Sequence, residues 1–466
     1  MTGAPVRASG PFIGTVLGGP PVTRRTVLRA AALTAGATAL GGCGGAEQLE
    51  MAVVWSGNEL ARFRAVLAAI GVNDVLVTSG GDFMHTLLSD RACANRLPHI
   101  AILSNPGLLP GYVRRGWLRQ LREPDLQSDD PAELSPFRVW SPEWADWLSV
   151  DGVRYGAWVK AAHKSLFWCL PERAAEIHDA WRTLIAQAAR GENPRPGKVS
   201  LAIGAADSWV LTDWFENVLT TNEYNDIFAG GSEVRRPLEV LGRIWRAVRF
   251  PGGPRRALLT QFDASVLQVV TGKADAVFEG DFVRALGNDR PGRTDLAGVG
   301  KLVPFRFPTA GPAGSLVVGG DFAVLLNRRS DSSTAPDKLT AADLMSLLAG
   351  RAAQLQWAQF PGYLSPRNDI TAGEYPPLPV DAKTGATVLA ALSAGAGARF
   401  DLSDRLRPDR GAALGGMLQN FFRRVTEPGS DLHRCTLDAE EEFRRRSGAA
   451  PGADDPGGCR VPDAAR

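Results

Sequence analysis

Met51-Ala52-Val53-Val54-Trp55, Asp74-Val75-Leu76-Val77-Thr78 and His99-Ile100-Ala101-Ile102-Leu103 are short apolar runs, and what separates them decides the fold. Ser56-Gly57-Asn58 supplies a turn and a helix N-cap. Glu59 to Ile70 then puts Leu60, Phe63, Leu67 and Ile70 on one helical face, and Gly71 ends the helix. Residues 82–92 and 108–116 read as two further helices. Strand and helix alternating three times imply a parallel sheet with helices on its faces. Ligands bind beyond the carboxyl ends of the strands in such sheets. Trp55, Asn58, Glu59, Ser79, Asp82 and Asn105 therefore mark the edge of an expected cleft.

Outward from this unit, residues 123–150 form a polar, Pro-containing surface excursion in which Trp140, Trp144 and Trp147 pack locally. Asp151-Gly152 turns a hairpin. Lys164 to Cys169 reads as a strand leaving the first lobe. Val199 to Ile203 is a strand, and Ala274 to Phe278 is another that delivers Glu279-Gly280-Asp281. Ser315 to Leu326 is an apolar strand interrupted by Gly319-Gly320-Asp321, and glycines inside a strand mark close backbone or ligand approach. The last third reads helical to about residue 446, and the Gly/Pro/Ala/Asp-rich residues 447–466 read as a disordered tail.

The densest polar–aromatic stretch is Asp207-Ser208-Trp209-Val210-Leu211-Thr212-Asp213-Trp214-Phe215-Glu216. Trp209 and Asp213 are four apart and share a helical face. An indole beside a carboxylate suits a sugar, whose C–H face stacks on the ring while its hydroxyls donate to the acid. Trp214 and Phe215 are expected to bury in their own lobe. Trp209→Ala is expected to weaken binding by about 2 kcal/mol.

A chain of 466 residues is too long for one ordinary domain, and 44% hydrophobic content builds two cores. The net charge of +2 gives no basic field for nucleic acid. Thr23-Arg24-Arg25-Thr26-Val27-Leu28-Arg29 reads as a twin-arginine export signal, and an Ala/Leu/Gly run follows it. That run is shorter than the ~20 residues a membrane span requires. Leu40-Gly41-Gly42-Cys43 resembles a bacterial lipobox, which makes Cys43 the lipidation site and residues 44–50 a tether. Cys93, Cys169, Cys435 and Cys459 remain, with pairing and free buried thiols both open. Their spacing is no metal pattern, and no cofactor motif occurs.

The pieces occur in a familiar order. Val53-Val54-Trp55-Ser56-Gly57-Asn58-Glu59, Pro98-His99-Ile100-Ala101, Trp209 to Glu216, Phe278-Glu279-Gly280-Asp281-Phe282, Val318-Gly319-Gly320-Asp321, Leu364-Ser365-Pro366-Arg367 and Arg399-Phe400-Asp401-Leu402-Ser403-Asp404 resemble segments of the family 1 extracellular solute-binding proteins of bacterial ABC importers, within which the chain is most similar to alpha-glucoside-type sugar-binding lipoproteins. His99 stands where that family usually has Asp, and Gly415-Gly416-Met417-Leu418 lacks the family's aromatic. The resemblance implies an α/β fold of the two-lobe periplasmic-binding-protein kind, joined by hinge crossovers with the ligand cleft between. Lobe 1 is expected at 50–162 and 313–362, and lobe 2 at 163–312 and 363–446. It also implies a monomer that delivers a carbohydrate to permease subunits and meets the membrane only through its lipid.

The candidate ligand-binding residues are Trp55, Glu59, Trp209, Asp213, Glu279, Asp281, Asp321 and Arg367. Trp55 reads equally as strand core, and Arg367 equally as the partner of Asp404 or another acid. Asp401 and Asp404 read as helix caps. A polyamine is an alternative solute. An enzyme is the rival class, because Glu279 and Asp281 could pair as in a glycosidase. Yet the chain has no Gly-x-Ser-x-Gly elbow, no His-Glu-x-x-His and no phosphate loop, and its five His are scattered.

Overall fold

The computed structural model describes residues 48–126, 135–195, 197, 199–286, 298–308, 316–328, 339–360, 362–375, 398–448 and 459. The export signal, Cys43 and the tether as far as residue 47 lie outside the described residues, as does most of the 447–466 tail.

Strand β1 (Leu49–Val53) starts inside the span expected as tether and lies between β2 (Val75–Ser79) and β3 (Ile100–Leu103), parallel to both. The helices Gly57–Ala69, Met84–Cys93 and Leu109–Arg114 connect and follow them. Gly57–Ala69 buries Phe63 and Leu67 of the expected face together with Val66, while Leu60 and Ile70 are half-buried against the same core. His99 keeps an acceptor where the segment it resembles has Asp, since its Nδ1 takes the backbone N–H of Glu50 at 3.0 Å.

Residues 135–148 are not a surface excursion. Trp140 and Trp144 are buried, and Trp144 meets Trp158 edge-on at 4.8 Å. The tryptophans are the packing mass over this end of the sheet. The hairpin β4 (Ser149–Val150) and β5 (Val153–Arg154) turns through Asp151 at φ 52° and Gly152 at φ 76°, which is why Asp-Gly stands there.

The chain then runs along β6 (Gly156–His163) and crosses into a second sheet at β7 (Leu166–Cys169). That sheet is completed by β8 (Leu201–Ile203), β9 (Ala276–Phe278) and β10 (Val303–Arg306), in the order β10-β7-β9-β8. Its core includes Trp181, Trp214, Phe215 and Phe422. The chain returns to the first sheet as β11 (Leu316–Leu325), antiparallel to β3 and β6, and β12 (Ala398–Phe400) adds parallel to β11. Leu402 then enters the second core, and the helices Pro408–Thr426 and Leu432–Ser447 finish that lobe.

The third crossing therefore falls at 400–402 and not near 362. Leu364 is held on the first lobe because it exchanges backbone hydrogen bonds with Ala161 at 2.7 and 3.2 Å. Residue 459 is also fixed: Cys459 is disulfide-bonded to Cys93, and its carbonyl accepts from Trp117 Nε1 at 2.9 Å. Cys169 and Cys435 are buried free thiols. Among the described residues no helix is long and apolar enough to cross a membrane.

Candidate functional site

The ladder between β6 and β11 slips once. Asp321 pairs with Lys160 and Phe322 with Trp158, so Val159 is an extra residue in β6. This bulge sets Lys160 and Asp321 directly opposite each other on one face. Gly320 lies against the Lys160 carbonyl and the Trp158 ring, where a Cβ would come within 2.7 Å and 2.9 Å. A Cβ at Gly319 would meet the Lys164 chain at 2.8 Å. Gly319 thus makes room for the Lys164 side chain and Gly320 for the Trp158 ring and the Lys160 backbone, which accounts for two glycines in the middle of an apolar strand.

Lys160 bonds Glu59 and lies 2.9 Å from Asp321. Asp321 also accepts from Trp55 Nε1 at 2.8 Å. The ammonium faces the rings of Tyr363 at 4.7 Å and Trp55 at 5.4 Å. Burial alone would depress the Lys160 pKa, but Asp321 and Glu59 outweigh it and hold the group charged. Trp55 serves both the core and the charge network: its ring packs on Phe63 and Trp357 while its N–H donates to Asp321.

This network lines a cavity of about 540 Å³ between the lobes. The first lobe contributes Trp55, Glu59, His85, Asn105, Lys160, Asp321 and Tyr363, and the second contributes Phe262, Phe282 and Leu286. The lobes touch beside it, where Arg62 spans from the Tyr363 hydroxyl at 2.9 Å to the Ala285 carbonyl at 3.4 Å. Gly362 has φ +84° and packs on the backbone of Asp281 and Phe282.

Trp55, Glu59 and Asp321 are thus brought together as expected, and the other five candidates do not line the cavity. Trp209 stands one ring behind the wall, 5.6 Å from Phe282 and 5.8 Å from Phe262. The face it shares with Asp213 exists but is turned onto Lys164, whose ammonium lies 5.9 Å from the indole and 3.9 Å from Asp213. Trp214 and Phe215 are fully buried, as the sequence suggested.

Glu279 is buried against Ser265, and burial pushes its carboxyl well above the usual range. Asp281 accepts the His163 N–H at 2.9 Å and so braces the first crossing, and burial pushes it up to about 7. Arg367 has no exposed surface. It forks onto Asp369 at 2.9 and 2.7 Å and donates to the Ala349 carbonyl, so its acid is two residues away and not Asp404. Asp401 does cap a helix, accepting from Ser403 N at 2.6 Å.

Sequence reasoning missed Lys160, Lys164, Tyr363, Phe262 and Phe282. A signal for the lysines was present: the chain has only seven, and two of them stand four apart in the apolar run that leaves the first lobe.

No family model matches the chain. It is 28% identical over 320 residues to the Osmoprotective compounds-binding protein GgtB of Synechocystis sp. (strain ATCC 27184 / PCC 6803 / Kazusa), covering 65% of this chain and 71% of that protein. It is 25% identical over 180 residues to the Alpha-glucosides-binding periplasmic protein AglE of Rhizobium meliloti (strain 1021), covering 35% and 38%. The fold matches a protein solved in a study of xylan utilization by Caldanaerobius polysaccharolyticus, with TM-score 0.61, 16% identity and coverage of 85% and 99%. It also matches the GacH receptor of Streptomyces glaucescens, with TM-score 0.58, 13% identity and coverage of 86% and 98%. The chain thus shares the two-lobe fold of these solved proteins and is similar in sequence to two named solute-binding proteins.

Proposed function

We propose that the chain captures a carbohydrate in the interlobe cleft and passes it to the permease subunits of an ABC importer. It works outside the cytoplasmic membrane as a monomer, held by a lipid on Cys43. The observation that carries this reading is the cavity itself: about 540 Å³, within the range of small-molecule sites, with aromatic rings on both walls and a Glu59–Lys160–Asp321 network at its floor. Rings take the C–H faces of a sugar, and the charged groups take its hydroxyls. Lobe closure excludes water and strengthens those bonds. The relatives' names support a solute binder, and one of them, the alpha-glucosides-binding protein, supports a carbohydrate.

A polyamine fits less well, because it would set a second cation beside Lys160. A glycosidase reading loses its pair, since Glu279 and Asp281 are buried in the second lobe and absent from the cavity wall.

A thermal-shift panel of mono-, di- and trisaccharides, with polyamines as controls, tests the proposal. A true ligand at 100 times its Kd adds about 2.7 kcal/mol of stability. Stabilisation by polyamines alone, or release of product from oligosaccharides, would overturn it. Cys43→Ser is expected to move the protein from the membrane fraction to the soluble one, and continued anchoring would refute the lipid site.

A further inference from the structure

The hinge carries a second charge cluster that the cleft does not use. Lys164 lies on the first crossing, between β6 and β7. Its ammonium bonds Asp401 and lies 3.3 Å from Asp404 and 3.9 Å from Asp213. Glu216 joins them, and carboxylate oxygens of Asp213, Glu216 and Asp401 lie within 4.8 Å of one another. Asp213, Glu216 and Asp401 have at most 1% of their surface exposed. Four carboxylates therefore meet one ammonium, three of them closed to water and the fourth, Asp404, with 24% of its side chain exposed.

Two oxygens show how the imbalance is met. Asp213 Oδ1 and Glu216 Oε2 are buried and take no hydrogen bond from a described N–H or O–H group. The other Glu216 oxygen accepts from Leu402 N at 2.8 Å. An ionised carboxylate in that position is costly, whereas a protonated one becomes a donor to its neighbour. Burial pushes Asp213 and Glu216 well above the usual carboxylate range and Asp404 to about 7. Burial acts on Asp401 too, but Lys164 outweighs it and holds that acid below its usual value.

The groups around the cluster are otherwise engaged. Asp321 faces Asp404 from β11 and is bound to Lys160. Arg405 bonds the Tyr224 hydroxyl, and Arg399 lies 5.4 Å from the Tyr224 ring and donates to the Leu219 carbonyl. Glu223 is paired with Arg236.

The cluster also spans the moving parts. Lys164 sits on the first crossing and Asp401 on the third, while Asp404, Asp213 and Glu216 belong to the second lobe. Rotation of the lobes about these crossings would move the ammonium against the carboxylates and let water in.

We propose that this cluster is a proton-binding site built into the hinge: it holds shared protons in the closed protein and releases at least one as the lobes part. Closing then takes up protons. The raised groups bind protons more tightly in the closed form, so acidification favours closure. For Asp404 the window runs from about 7 down toward the ordinary carboxylate range of ~4, and Asp213 and Glu216 are raised in the same direction. One linked proton changes affinity by at most tenfold per pH unit.

The ligand half of the test rests on the carbohydrate reading; the ligand-free half does not. Small-angle scattering of the full chain without ligand, from pH 8 to pH 5, is expected to show a falling radius of gyration in the wild type and a weaker fall in Asp404→Asn. With a sugar taken from the panel, Kd should tighten as pH falls from 7 to 5, and Asp404→Asn should flatten that slope. Glu216→Gln serves as a second variant should the first not fold. A pH-independent radius and Kd in the wild type would overturn the proposal, as would pH dependence that survives unchanged in both variants. Stabilisation by magnesium or calcium chloride at fixed pH would also overturn it, because the cluster would then be a metal site.

Discussion

Lys160→Met removes the cation that Glu59 and Asp321 share. Breaking a buried pair from one side costs about 3–5 kcal/mol, because it strands the opposite charge. Here the loss is softened. The Glu59 side chain is 33% exposed and can turn to water, and Asp321 keeps the Trp55 N–H at 2.8 Å, a bond of about 1 kcal/mol. The expected cost is about 2–3 kcal/mol. For a chain of this length the unfolding entropy near the midpoint is on the order of 0.9 kcal/mol/K, so Tm should fall by about 3 °C. The assay is reversible thermal unfolding of wild type, Lys160→Met, Asp321→Asn and the double variant at one pH. Removing the stranded charge should recover about 1.5 kcal/mol as a coupling energy. Additive losses would show that Lys160 and Asp321 do not act as a pair, and a wild-type Tm in Lys160→Met would refute the buried network altogether.

Phe282→Ala should weaken sugar binding about tenfold, or ~1.4 kcal/mol, since its ring lines the cavity. Trp209→Ala should cost less than that, because its ring only backs Phe282; calorimetry giving the opposite order would return Trp209 to the site. Arg367→Ala should lose about 3 kcal/mol of stability, as an unexposed guanidinium and its bonds to Asp369 and Ala349 disappear, without changing which sugars shift the melting curve. Asp281→Asn tests its raised pKa. The folded value of about 7 exceeds the unfolded one, so ionisation costs the wild type stability between about pH 4 and 7. Urea unfolding should show the variant gaining relative to wild type across that window and holding steady above it; a flat difference would contradict the assignment.

The first βαβ unit was legible because its strands are contiguous apolar runs and its connections are short. The hairpin was legible because Asp-Gly can adopt the positive φ that its turn demands. The third crossing was not, because β12 pairs with a strand some eighty residues earlier, and local pattern carries no trace of that pairing. The acids were legible as unusual but not in their role. Asp321 and Asp213 read as acceptors for hydroxyls only while Lys160 and Lys164 pass as members of an apolar run. The bulge that sets Lys160 against Asp321 leaves no mark in sequence, since Val159 suits a strand whether or not it is paired. The rings that close the cleft from the second lobe, Phe262 and Phe282, come from a helix start and a loop. Their meeting depends on how two lobes dock.

The bridge between Cys93 and Cys459 joins positions 366 residues apart and so makes nearly the whole folded chain a covalent ring. A protease that cuts any connector inside this ring opens it but frees no fragment. The two pieces stay one molecule until a reductant acts. A digest run on a gel without thiol should therefore show an intact band where the reduced lane shows two. That contrast gives a direct reading of the oxidising history of the protein, independent of whether it has ever met its ligand.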